Sequence, residues 1–281
     1  MKVAFITDSG TGKNKETLKE KGIFSVPLQI ECDGVSYDEL ETVSYAQVIE
    51  WLHQGKVCKT SLPRLAYIQD LFEQLKADGY DTVFCVPICK GLSGCFNAME
   101  MMANQMELKF YGVDCFVTAV VQEHMIETAK RMYEEGKEFP EIIDKLEQMA
   151  SSCETVLLCD DLQHMKRGGR LTPVAAALGG LLKIKPILVI DKETQGRVDV
   201  LDKVRTISKA QDKVISFIQS KGITEDYVFI LAHVDAKEAA EKYVERIKNT
   251  YPNAKFEIID LVSAVGIHTG LGCLALQVFK D

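Results

Sequence analysis

The sequence predicts an α/β protein in two parts: an N-terminal α/β domain on a parallel sheet, then a C-terminal α+β domain on a mixed sheet. Three observations carry this reading. Short apolar runs alternate with amphipathic stretches through the first half, the pattern of strand–helix–strand units whose helices cover a parallel sheet. One of those runs, Asp81 to Ile88, is apolar almost without interruption, as in a strand covered on both faces. In the second half, the strand patterns Ile184 to Ile190 and Arg197 to Lys203 are separated by the turn Glu193 to Gly196, which makes them antiparallel neighbours. The domains are expected at residues 1–157 and 158–281, with the boundary near 151–160.

Each element has a local reason. Val3 to Asp8 reads as a buried strand that ends in polar residues, and Lys13 to Lys21 as a helix closed by Gly22. Phe24 to Cys32 reads as a second strand, followed by the turn signal Asp33-Gly34. Ser44 is placed to cap an amphipathic helix to Gln54, which Gly55 stops. Leu65 to Asp78 and Gly94 to Met106 are helical, Lys109 to Val117 is a strand, and Gln122 to Glu135 and Pro140 to Ser151 are helices. Thr155 to Cys159 is a strand and Asp160 to Lys166 a short helix, broken by Gly168-Gly169-Arg170. Thr172 caps and Pro173 opens an Ala-, Leu- and Gly-rich helix that runs to Leu182. Ser208 to Gly222 and Ala236 to Asn249 are helices; Tyr227 to Val234, Lys255 to Val262 and Leu274 to Phe279 are strands.

The chain has 281 residues, 47% of them hydrophobic and 26% charged, an ordinary globular composition. A net charge of −8 argues against nucleic acid as the main partner, since phosphate backbones call for clustered Lys and Arg. No apolar run reaches the roughly 20 residues that span a bilayer, and the N-terminus turns polar too early for a signal peptide. A cytoplasmic location is expected. The nine cysteines are odd in number, contain no C-x-x-C pair and sit mostly in apolar strands, so reduced, buried thiols are expected rather than disulfides or a metal site.

Three polar segments punctuated by glycine or proline stand out: Lys59-Thr60-Ser61-Leu62-Pro63, Gly91-Leu92-Ser93-Gly94 and Gly266-Ile267-His268-Thr269-Gly270-Leu271-Gly272. Each alone is an ordinary turn. Together they suggest one site built from distant loops, with hydroxyl and imidazole groups for an anionic or polar ligand. Gly91 to Gly94 opens a helix, whose first N–H groups attract anions. Ser93 is not a nucleophile elbow, because its second glycine comes one place early for G-x-S-x-G. It reads better as a hydrogen-bond donor to a carboxylate. A Ser93–His268 pair in a hydrolase or acyltransferase is the alternative, although no aspartate neighbours the histidine to orient it. Asp8-Ser9-Gly10-Thr11-Gly12, at the end of the first strand, is where open α/β sheets bind ligands, but it lacks a nucleotide-loop pattern and serves equally as a capped loop. Arg205 offers a fork for a carboxylate or phosphate, or is a solvated surface arginine. The small residues of the helix after Thr172 pack a core or leave room for an apolar chain. A sugar- or triose-phosphate site is a weaker reading, for want of a metal-binding aspartate cluster.

Taken in order, these segments resemble the DegV family, the fatty-acid-binding proteins of the bacterial fatty acid kinase system. The resemblance runs the whole chain. It rests on Thr7-Asp8-Ser9, Lys59 to Pro63, Leu92-Ser93-Gly94, Gly168 to Leu171, Leu182 to Leu188, Val204-Arg205-Thr206 and Gly266 to Gly272. It implies a protein that buries one long-chain fatty acid in a tunnel between two domains, with no cofactor. The carboxylate would be held by Thr60, Ser61, Ser93 and His268. Arg205, Gly94, Thr269, Asp8 and Ser9 would be candidates for ligand contact or phosphotransfer. The resemblance further implies that the protein is not itself the catalyst. It would present the carboxylate to a separate ATP-dependent kinase that makes an acyl phosphate for phospholipid synthesis, with transient membrane contact. The sequence departs from the family at Leu271, Arg64, Cys95-Phe96 and Val117 to Glu123, and the last of these bears on ligand choice.

Overall fold

The computed structural model describes residues 1–159, 162–177 and 184–280. In chain order the first half comprises β1 (Val3–Asp8), α1 (Lys15–Glu20), β2 (Ile23–Val26), β3 (Gln29–Cys32), β4 (Val35–Asp38), α2 (Tyr45–His53) and β5 (Lys59–Ser61), then α3 (Leu65–Ala77), β6 (Thr82–Cys85), α4 (Cys95–Gln105), β7 (Lys109–Gly112), α5 (Val120–Glu134) and α6 (Phe139–Ser151). The second half comprises β8 (Glu154–Leu158), α7 (Leu162–Gly168), α8 (Pro173–Ala177), β9 (Lys185–Ile190), β10 (Asp199–Val204) and α9 (Ile207–Ser220), then β11 (Val228–His233), α10 (Lys237–Lys248), β12 (Lys255–Asp260), α11 (Ser263–Thr269) and β13 (Leu274–Phe279). The expected helix start at Asp160, the helix end at Leu182 and the Leu182-Lys183 part of the family motif lie outside the described residues.

The first sheet is parallel throughout, in the order β2-β1-β6-β7. The second sheet is mixed, in the order β10-β9-β8-β13-β11-β12, with β11 and β12 its parallel pair. The last strand, β13, lies between β8 and β11 and pairs antiparallel with both.

Period-two alternation in the central strands sorts the layers. Ala4, Ile6, Val83 and Cys85 face one way, onto α3 and α4 through Ile68, Phe72 and Met99. Phe5 and Phe84 face the other way, onto α5 and α6 through Met125, Ile126 and Ile142. That second cluster continues into the inner face of the mixed sheet at Leu157, Leu188 and Ile230. The outer face of the mixed sheet packs on α9 and α10 through Val214, Ile218, Tyr243 and Ile247. The two sheets therefore share one apolar layer. Of the nine cysteines, eight are buried, and Cys58 is half-buried.

Two expectations need correction. Phe24 to Cys32 is not one strand: β2 runs parallel to β1, whereas β3 pairs antiparallel with β4 and β5 in a separate three-stranded sheet. Pro27 has no N–H and breaks the ladder between them. The glycine-flanked segment around His268 is not a loop but the helix α11, which ends where Gly270 takes φ +81°. Its start is held by the Glu39 carboxylate, whose Oε1 accepts the Ala264 N–H at 2.6 Å. A side chain from outside the segment thus supplies the cap that the segment itself lacks.

Candidate functional site

Thr60, Ser61, Ser93 and His268 converge at one end of a cavity between the two sheets. β5 carries Thr60 and Ser61, held extended by pairing with Ile30 and Gln29 of β3. Ser93 stands in the tight turn after β6, where the N–H groups of Leu92 and Ser93 both donate to the Cys89 carbonyl, at 3.0 and 3.1 Å. Its Oγ accepts the Cys95 N–H at 3.2 Å, at the start of α4. His268 comes from α11 of the second half, and its Nε2 lies 2.6 Å from the Thr60 Oγ1.

The imidazole is closely confined. A Cβ on Gly168 would lie 2.4 Å from His268 Nδ1, so only glycine allows α7 to approach this ring. Burial pushes the His268 pKa down to about 3, and the neighbouring Arg170 adds to the shift. The ring is therefore neutral at pH 7. Next to it, His164 Nε2 lies 2.6 Å from the Ile267 carbonyl, which can only accept, so this nitrogen carries the proton and Nδ1 accepts from Arg167 at 3.2 Å.

The cavity has a volume of about 80 Å³. It is narrow as well as apolar, walled by residues such as Leu28, Ile88, Leu157, Ile190, Ile230 and Leu261. At the Thr60–Ser93 end it opens into a second, more polar hollow of about 420 Å³ that adds Lys90, Gly94 and Gly169. Thr60, Ser61, Leu92, Ser93 and Arg170 line both spaces. An apolar slot thus meets water across a ring of hydroxyls, one neutral imidazole and two cationic side chains.

Other residues singled out in the sequence lie elsewhere. Asp8 and Ser9 sit in a fully buried network outside the cavity wall. Asp8 accepts from the N–H groups of Gly10 and Ile88 and from the Gln122 amide, at 2.8, 2.9 and 2.8 Å. Ser9 donates to Glu39 at 2.5 Å and accepts the Leu28 N–H at 2.9 Å. Desolvation raises the pKa of Asp8, and it pushes that of Glu39 up to about 7. Thr269 is buried and donates to the Gly266 carbonyl at 3.4 Å, within its own helix. Gly94 borders the outer hollow. Arg205 is exposed just past the end of β10 and lines neither space.

Arg170 entered the sequence analysis only within the Gly168 to Leu171 segment and without a site role, yet it lines both spaces and donates to the Gly168 carbonyl at 2.6 Å. The glycine pair before it was the available signal, since flexible backbone next to an arginine suits close approach to a ligand. Gln277 also went unremarked. It is a lone polar residue in the otherwise apolar β13, and it lines the cavity.

The chain is similar to known proteins along its whole length. A family model described as "Uncharacterised protein, DegV family" matches residues 2–281. The chain is 31% identical over 278 residues to a DegV domain-containing protein of Streptococcus pneumoniae, covering 98% of each chain. It is 29% identical over 284 residues to Protein DegV of Bacillus subtilis, again covering 98% of each. Among solved structures, it is similar to a fatty acid binding DegV family protein from Streptococcus agalactiae, with TM-score 0.89 and 26% identity over 100% of this chain and 99% of that one. It is also similar to DegV, a fatty acid binding protein from Bacillus subtilis, with TM-score 0.85 and 27% identity over 100% of both chains.

Proposed function

This chain belongs to the DegV family, and from that premise we propose that it binds one long-chain fatty acid and presents the carboxylate to a separate ATP-dependent kinase. The observation that carries the reading is the narrow apolar cavity whose mouth is bordered by Thr60, Ser61, Ser93 and His268. Burying an acyl chain contributes roughly 0.8 kcal/mol per methylene. A carboxylate at the mouth of such a slot needs donors on each oxygen. With the proton of the neutral imidazole on Nε2, His268 donates to the Thr60 oxygen and leaves the Thr60 hydroxyl proton free for the ligand. Ser93 supplies a second hydroxyl, and Ser61 a third on the same rim.

The outer hollow leaves the carboxylate reachable, with Lys90 and Arg170 beside it. In the proposed transfer a carboxylate oxygen attacks the γ-phosphorus of ATP held by the kinase, ADP departs, and cationic side chains at the rim suit the added phosphoryl charge. A hydrolase using Ser93 would need the imidazole on the Ser93 hydroxyl as base, whereas His268 Nε2 pairs with Thr60.

The test is solvent extraction of the purified protein, with mass spectrometry of what is released. One fatty acid per chain is expected, with retention lost in Ser93→Ala and in His268→Ala. An empty extract from protein that also fails to take up added fatty acid, yet turns over a generic ester, would replace this reading with the hydrolase.

A further inference from the structure

The far end of the cavity is built differently from its walls. The register of the mixed sheet sets Ile190, Thr155, Gln277 and Ile230 side by side on four adjacent strands, and all four line the cavity. The next row toward His268 is wholly apolar: Leu157, Ala275, Ala232 and Ile259, also lining it. In the row beyond, Phe279 pairs with Val228 and neither reaches the cavity. The cavity therefore ends at the Thr155–Gln277 row.

The centre of that floor is held by hydrogen bonds. The Gln277 Nε2 donates to the Thr118 carbonyl at 3.1 Å and to the Thr155 Oγ1 at 3.0 Å, and its Oε1 accepts the Val121 N–H at 3.3 Å. Both ends of the amide are engaged, partly with backbone of the segment that leads into α5. To swing aside, Gln277 would have to leave buried polar atoms unpaired. A leucine or methionine floor would give way by changing rotamer, and this one does not.

We infer that Thr155 and Gln277 form a rigid stop that fixes the longest acyl chain this protein accepts. The inference rests on the fatty-acid reading above and adds the length selectivity of the same site. Each methylene that fits above the floor raises affinity about fourfold, the factor that ~0.8 kcal/mol represents at ~1.4 kcal/mol per tenfold. The first methylene that does not fit meets a floor that cannot yield, so affinity breaks downward instead of levelling off.

The experiment titrates delipidated full-length protein with a homologous series of straight-chain saturated fatty acids, in the wild type, Thr155→Ala and Thr155→Leu. The expected result is a steep rise and a break in the wild type, with the break moved to a longer chain by Thr155→Ala and to a shorter one by Thr155→Leu. Below the break the slope is unchanged in all three. A break at the same length in all three proteins, or moved in the same direction by both variants, overturns the floor while leaving the fatty-acid reading in place. If the wild type binds no member of the series, the fatty-acid reading falls first and the floor with it. Should Thr155→Leu fail to fold, as circular dichroism would show, Thr155→Ala decides alone.

Discussion

A methyl group at position 168 would lie 2.4 Å from the Nδ1 of His268. Gly168→Ala should therefore push the imidazole off Thr60 and loosen the proposed carboxylate site. A lost hydrogen bond to a charged group is worth about 1.5–3 kcal/mol, so fatty-acid affinity by calorimetry should fall at least roughly tenfold, with far-ultraviolet dichroism unchanged. An unaltered affinity would show that the ring position does not matter. The neutrality of His268 has its own signature. Its folded pKa of about 3 lies below the ordinary 6.5, so between those values the unfolded chain takes up a proton that the folded chain refuses. Stability should fall as pH drops from about 6.5 toward 3, and His268→Asn should flatten that limb in denaturant midpoints measured across pH. Thr60, Ser61, Ser93 and His268 were legible because polar side chains stood between glycines and prolines in an apolar chain. Arg170 was not, because it reaches the rim only once α7 has folded back against α11. Whether a carboxylate or its phosphorylated form needs it is a matter of distance, which no sequence pattern carries.

At the scale of elements, α11 depends on a carboxylate from the other half of the chain. Burial, with Asp8 adding, pushes the Glu39 pKa from 4.5 up to about 7. Between those values the folded protein keeps a proton that the unfolded chain releases, so this group's contribution to stability is full below pH 4.5 and is lost as pH rises toward 7. Glu39→Gln removes that loss. Its stability relative to the wild type should climb across the same interval, and a constant difference would exclude the titration. A second tie between elements runs through glycines: a Cβ on Gly91 would lie 2.2 Å from the backbone carbon of Gly196, in the turn between β9 and β10. Backbone cannot rotate away as a side chain can, so Gly91→Ala should destabilise by about 1–3 kcal/mol, read as a lower denaturation midpoint. Most helices and strands were legible from periodicity and caps, as with Ser44, whose Oγ accepts the Gln47 N–H at 3.2 Å. The split of β2 from β3 was signalled only by Pro27, and the helical state of α11 is decided by the distant Glu39.

At the scale of the molecule, one apolar cluster holds Phe5 and Phe84 of the first sheet together with Leu157, Leu188 and Ile230 of the second. Neither half can expose that cluster without the other. Thermal unfolding by calorimetry should therefore be a single transition, and two separated transitions would contradict the shared core. A ligand that binds only the folded state stabilises by RT ln(1 + [L]/Kd), so extracting the proposed fatty acid should lower the midpoint and adding it back should restore it. The sequence indicated two sheets of different kinds. It did not indicate their order, because placing β13 between β8 and β11 joins residues far apart in the chain. The cavity between the sheets was illegible for the same reason: it is the gap between faces that meet only after both have formed. The burial of the cysteines has a consequence outside ligand binding. Eight of the nine are buried, and at Cys58 burial and the neighbouring Cys32 push the thiol up to about 12. Peroxides and alkylating agents attack the thiolate, which at neutral pH Cys58 scarcely forms and the buried eight do not present. A thiol-rich chain of this kind should pass through oxidative stress chemically unchanged, keeping its mass and its thiol titre where a protein with exposed cysteines would lose both.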